Sequence, residues 1–111
     1  MSIVTNAILS FSIADDRKTS AELNEWEGFH GKTGFVSCND QSLPTGWYGG
    51  TKMLETPLYI GAINYFYPLQ YLAYLAGLTW KEPHHVQLII KEQEEDSFII
   101  LTFASLDDSP R

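Results

Sequence analysis

The stretch Leu43 to Glu55, LPTGWYGGTKMLE, places three glycines, a Trp–Tyr pair and a lysine within one short segment. A lysine beside glycines suggests a phosphate cradle. The P-loop requires G-x-x-x-x-G-K-[ST], with loop amides and lysine on the phosphates and the hydroxyl on magnesium. Here Thr51 separates Gly50 from Lys52, and Met53 stands where Ser or Thr is needed. A strand follows rather than a helix, so no helix N-terminus would face the anion. The dinucleotide fingerprint G-x-G-x-x-G is also absent. What the segment does offer is recognition. Gly46, Gly49 and Gly50 permit positive φ and close approach, while Trp47 and Tyr48 carry apolar bodies with polar handles. With Lys52 they match the composition of interface hot spots. Trp47 and Tyr48 are equally suited to closing over their own core.

The other reactive side chains are sparse. His30, His84 and His85 are the three histidines. His84 and His85 fall at the start of a predicted strand, where adjacent residues point to opposite faces and make a poor chelating pair. No metal and no cofactor are expected. Cys38 is the sole cysteine, which excludes an intrachain disulfide and a cysteine-built zinc site. It lacks any nucleophile signature and reads as a small core residue. Asp40 and Glu55 flank the aromatic segment, and paired carboxylates beside aromatics are the arrangement used on sugars. The plainer reading has Asp40 in a turn and Glu55 paired with Lys52. No catalytic residue is assigned.

The composition narrows the classes further. The 111 residues hold 7 basic and 14 acidic side chains, for a net charge of −7. Phosphate backbones and anionic bilayers attract cationic surfaces, so nucleic acid and membrane are excluded as partners, while a basic protein partner fits. Hydrophobic residues make up 44% and charged residues 19%, values of a globular chain able to bury its own core. One α+β domain over 1–104 is expected, with a flexible tail at 105–111. The start of the chain has no basic n-region or cleavage site, and cytoplasmic location is the simplest expectation.

The elements that must position these residues follow from period and punctuation. Residues 3–13 alternate, with Ala7, Leu9, Phe11 and Ile13 opposed to Asn6, Ser10 and Ser12, which predicts a half-buried strand. Asp15 and Asp16 suit a turn. Thr19 and Glu22 form a capping-box pattern for a short helix that carries Leu23 and Trp26 and ends at Gly28. Strands are predicted at 34–38 and 58–65, the latter with Gly61 marking a bulge or a close backbone approach. Pro68 and Gly77 bracket a helix at 68–76. Further strands are expected over 84–91 and, after the acidic turn 92–96, over 97–104, an apolar run suited to burial on both faces.

The helix at 68–76 is apolar nearly all round. Leu69, Leu72, Ala73 and Ala76 occupy one side; Tyr67, Tyr71, Tyr74 and Leu78 occupy the other. Such a helix is usually covered on more than one side, and a partner chain could supply the second cover through the three tyrosines.

The order β-α-β-β-α-β-β predicts a two-layer α+β sandwich, ferredoxin-like in its βαββαβ series, with an extra C-terminal strand and a mostly antiparallel sheet. The functional expectation is a small acidic, non-enzymatic protein-binding module that self-associates. Its sharper version is an inhibitor or immunity-type protein that engages a basic partner through Trp47, Tyr48, Gly49, Gly50 and Lys52 or through Tyr67, Tyr71 and Tyr74. The alternative is a dimeric ferredoxin-like enzyme or ligand-binding protein. Its cleft would hold Trp47, Tyr48, Tyr59 and Trp80, with His84, His85, Asp40 or Glu55 as acid or base.

Overall fold

The computed structural model describes residues 4–15, 20–26, 28–29, 34–38 and 57–107. The segment 43–55, His30 and Asp40 lie outside them. Period-two alternation produces strands β1 (Val4–Ser10), β3 (Leu58–Asn64) and β4 (Gln87–Glu92), joined by the two-residue β2 (Val36–Ser37) and by β5 (Ile99–Leu101). Helix α1 spans Ser20–Asn24, α2 spans Pro68–Ala76 and α3 spans Ala104–Asp107. The strands form one antiparallel sheet in the order β2-β3-β1-β4-β5. The architecture is thus α+β, with five strands and three helices.

Antiparallel partners share a face, so the register sorts the side chains. Ala7 faces Gly61 and Ile90, and Leu9 faces Tyr59 and Leu88. With Ile63, Phe11 and Val86 these form the buried side of the sheet, against which Leu23 of α1 and Tyr71, Leu72 and Leu75 of α2 pack. Helices therefore cover one face, and the described helices leave the other face bare.

Two close approaches fix the β2 edge. Asn24, at the end of α1, accepts from the Phe35 N–H through Oδ1 at 2.7 Å and donates through Nδ2 to the Phe35 carbonyl at 2.8 Å. Its amide thus imitates a neighbouring strand. Just before it Gly34 adopts φ +145°, and its carbonyl lies 2.7 Å from where a Cβ on Gly61 would sit. The strand glycine marks a close backbone approach, as its position in the sequence suggests.

Helix α2 has the bounds predicted, but its faces differ. Tyr71, Leu72 and Leu75 turn inward, while Leu69, Gln70, Ala73 and Ala76 turn out. One side is covered and the other presents small residues and a glutamine. The Tyr71 hydroxyl donates to the Leu23 carbonyl at 2.7 Å, and the Tyr74 hydroxyl donates to the Glu22 carbonyl. Both bonds tie α2 to the last turn of α1.

Burial, and then the neighbouring Tyr74 phenol, hold the Tyr71 pKa far above the ordinary tyrosine range near 10. Burial, then Glu25 and Glu22, also raise that of Tyr74. A phenol raised on folding keeps its proton in the native state after the unfolded chain has released it. The contribution is fully present below the unfolded pKa and is lost as pH rises above it. Denaturant midpoints should hold steady to about pH 9 and fall beyond about pH 10, with tyrosinate absorbance of Tyr71 appearing only with unfolding. A stability that stays flat through that alkaline range would contradict this assignment.

Several elements depart from the sequence reading. β1 ends at Ser10, leaving Ile13 exposed in a 3₁₀ turn, and α1 ends at Asn24, short of Gly28. Pro83, His84 and His85 form a 3₁₀ turn rather than the start of a strand, because Pro83 fixes φ and the His85 and Val86 N–H groups bond back to Glu82 and Pro83 at 3.1 Å. The run 97–104 is not a strand buried on both faces: only three residues pair, at the sheet edge, with Phe98, Ile99 and Ile100 exposed. The first residues of the expected tail belong to α3, where Leu106 packs on the core.

Candidate functional site

The face of the sheet that the described helices leave bare is the most distinctive surface. Its central row takes one residue from each strand: Val36 opposite Ile60, Ile60 opposite Ile8, Ile8 opposite Ile89, and Ile89 opposite Ile100. Five aliphatic side chains thus cross the whole sheet. Ile60 is 38% exposed and Ile100 59%, and Phe98 beside them is 47% exposed. Phe98, Ile8, Ile60, Val36 and Ala62 line a shallow depression of about 490 Å³.

Polar rows flank the apolar one. On one side Asn6 lies between Ala62 and Lys91, with the Asn6 amide donating to the Lys91 carbonyl at 3.2 Å. On the other, Ser10 lies between Leu58 and Gln87. Lys91 is the single charged side chain on this face among the described strand residues. An apolar centre, a polar rim and no carboxylate among the described strand residues make an interface-like surface on a chain of net charge −7.

The sequence reading missed this row. Ile8 sits on the otherwise polar side of its strand with Asn6 and Ser10, and that misplaced isoleucine is the signal that could have found it.

The three tyrosines do not form one exposed face. Tyr67 is exposed, Tyr71 is wholly buried, and Tyr74 is half-buried against α1. Trp47, Tyr48, Gly49, Gly50 and Lys52 lie outside the described residues. Their segment leaves and re-enters the sheet at adjacent positions, since the Cys38 N–H bonds to the Leu58 carbonyl at 2.9 Å. Cys38 is buried, which pushes its thiol pKa upward and away from the thiolate that nucleophilic chemistry needs. Two residues of the expected enzymatic cleft pack inward. Tyr59 stacks on Phe11 at 5.8 Å, Trp80 lies 5.3 Å from Phe11, and the Trp80 indole donates to the Leu75 carbonyl at 2.7 Å.

A second constellation lies where the chain enters β4. On a strand His84 and His85 would point to opposite faces, but the 3₁₀ turn brings them together. Their rings are 4.6 Å apart, and His85 Nε2 is 3.1 Å from Glu82 Oε2. One ligand atom from each of Glu82, His84 and His85 lies within 4.8 Å of the others. The Ser12 hydroxyl donates to Glu82 Oε1 at 3.1 Å, and the Ala14 N–H holds Ser12 in turn at 3.1 Å. Buried Asp15 accepts from the Lys81 N–H at 2.8 Å and the Glu82 N–H at 3.1 Å. The histidines, Ser10 and Gln87 line an open depression of about 370 Å³.

Among the described residues, no helix is long and apolar enough to cross a membrane. Comparison with protein-family models, with curated proteins and with solved structures finds no match to this chain.

Proposed function

We propose that the chain is a small protein-binding module that self-associates through the bare face of its sheet, as a two-fold dimer. The observation that carries this reading is the Val36–Ile60–Ile8–Ile89–Ile100 row, free of carboxylates and rimmed by polar side chains. Exposed contiguous apolar surface marks interaction sites. A second copy suits it because the stripe is self-complementary. A two-fold axis along or across the row lays apolar on apolar and polar rim on polar rim, as an isologous contact requires. A chain of net charge −7 repels its own copy elsewhere, and here meets it through a face that carries no acidic side chain among the described strand residues.

The strand order supports a ferredoxin-like assignment as part of the same proposal. β1 and β2 flank β3, β3 and β4 flank β1, and each of these pairs is linked by a helical crossing. β5 then extends the sheet outside β4. Partner capture through Trp47, Tyr48 and Lys52 is a second part of this reading, carried by their hot-spot composition in the segment between β2 and β3.

Five strands about 4.8 Å apart, the longest of them seven residues, give a face of at most roughly 20 by 20 Å. That is below the ~800 Å² per partner of a standard interface, so the dimer should be concentration-dependent. Sedimentation velocity from about 1 to 500 µM, a range spanning the affinities of weak interfaces, should show mass rising from 12.6 kDa toward twice that value. An Ile60→Lys/Ile100→Lys double variant, altered at exposed positions and checked for folding by circular dichroism, should stay monomeric throughout. Wild type that remains a monomer at the highest concentration, or a folded variant that still dimerises, would sink the proposal.

A further inference from the structure

The turn before β4 holds two imidazoles and a carboxylate in a small space, and none of them is consumed by the core or by the sheet face. Glu82 is half-buried; His84 and His85 are exposed. Their ligand atoms fall within 4.8 Å of one another. Tetrahedral coordination at zinc–ligand distances of 2.0–2.2 Å separates ligand atoms by roughly 3.4 Å. The Glu82–His85 pair, at 3.1 Å, already meets that spacing. His84 needs only a side-chain rotation, and an exposed imidazole rotates at little cost.

We propose that Glu82, His84 and His85 form a binding site for a divalent transition-metal ion of the zinc class. The donor chemistry selects the class. Imidazole nitrogens favour zinc, copper and nickel, whereas calcium and magnesium take shells of oxygen ligands. Three protein donors leave coordination positions for water, the pattern of an open rather than a closed structural site.

The surroundings are organised as a metal site needs. Ser12 binds Glu82 Oε1, leaving Oε2 directed at His85, and such outer contacts orient a ligand and raise its affinity. Pro83 fixes the backbone between the carboxylate and the imidazoles. Asp15 anchors the turn through the Lys81 and Glu82 amides. The net charge of −7 adds a general attraction for cations.

The test is isothermal titration of the untagged full chain with zinc chloride, beside nickel and magnesium chlorides. The expected result is saturable one-to-one binding of zinc and nickel and none of magnesium. His84→Ala and His85→Ala should each weaken zinc binding at least ~10-fold, and Ser12→Ala should weaken it about 10-fold through the outer contact. Zinc should also raise the melting temperature of the wild type, a shift that both histidine variants lose although their metal-free melting temperatures are unchanged. Absence of saturable zinc binding by the wild type would overturn the proposal. So would zinc binding undiminished in both folded histidine variants, because the ion would then sit elsewhere.

Discussion

Tyr71→Ala should lower stability by about 3–5 kcal/mol, the range for emptying a large aromatic from a packed interior. The residue is wholly inaccessible to solvent. Its ring lies 5.3 Å from Trp26 and Phe35, 5.2 Å from Phe29, 5.5 Å from Phe66 and 5.9 Å from Tyr74. Those rings come from the segment after α1, the approach to β2, the link between β3 and α2, and α2 itself. Removing the hub leaves each without its common partner. The hydroxyl adds its own part. Tyr71→Phe keeps the ring but leaves the Leu23 carbonyl without its donor, which should cost about 1–3 kcal/mol. Chemical denaturation of the three proteins should therefore rank them wild type, Phe, Ala. A Phe variant as stable as wild type would show that the Leu23 carbonyl finds another donor.

Asp15→Ala should cost about 1–3 kcal/mol, because it takes the acceptor from two part-buried backbone N–H groups that water reaches only in part. Asp15 is 5% exposed, and both carboxylate oxygens are engaged, one by Lys81 and one by Glu82. This single side chain joins the turn after β1 to the turn before β4. Its loss should act locally first. Amide hydrogen exchange at Lys81 and Glu82 should accelerate more than exchange within β1 or β4. Asp15→Asn, which retains one carbonyl oxygen but turns an NH₂ toward an N–H, should fall between wild type and Ala. Uniform acceleration across the sheet would instead place the effect in global stability alone.

How much of this was legible in the sequence depended on whether the deciding interaction was local. Helix α2 was readable to the residue because Pro68 and Gly77 punctuate it, and β1 and β3 because their alternation is strong. The 3₁₀ turn at Pro83–His85 is not legible although Pro83 stands in the sequence, because the alternation of Val86, Leu88 and Ile90 does not show where the strand begins. Which side of α2 turns inward was not readable. Both sides are apolar, and the rings that choose Tyr71 over Ala73 and Ala76 come from positions 26, 29, 35 and 66. The apolar row illustrates the same limit. Ile8, Ile60, Ile89 and Ile100 each look like ordinary strand residues, and only the register between distant strands aligns them. Period gives faces; it does not give neighbours.

The central place of β1 has a consequence for how the chain is made. Val4 pairs with Asn64, and Thr5 pairs with both Ile63 and Glu92. During synthesis, at about 5–20 residues per second, the middle strand emerges first and must wait several seconds for either neighbour. Throughout that time both of its backbone edges and the Ala7–Leu9–Phe11 face are open to wrong pairings. Such long-range closures are slow to form, so the nascent chain is at its most aggregation-prone in the interval before β4 leaves the ribosome.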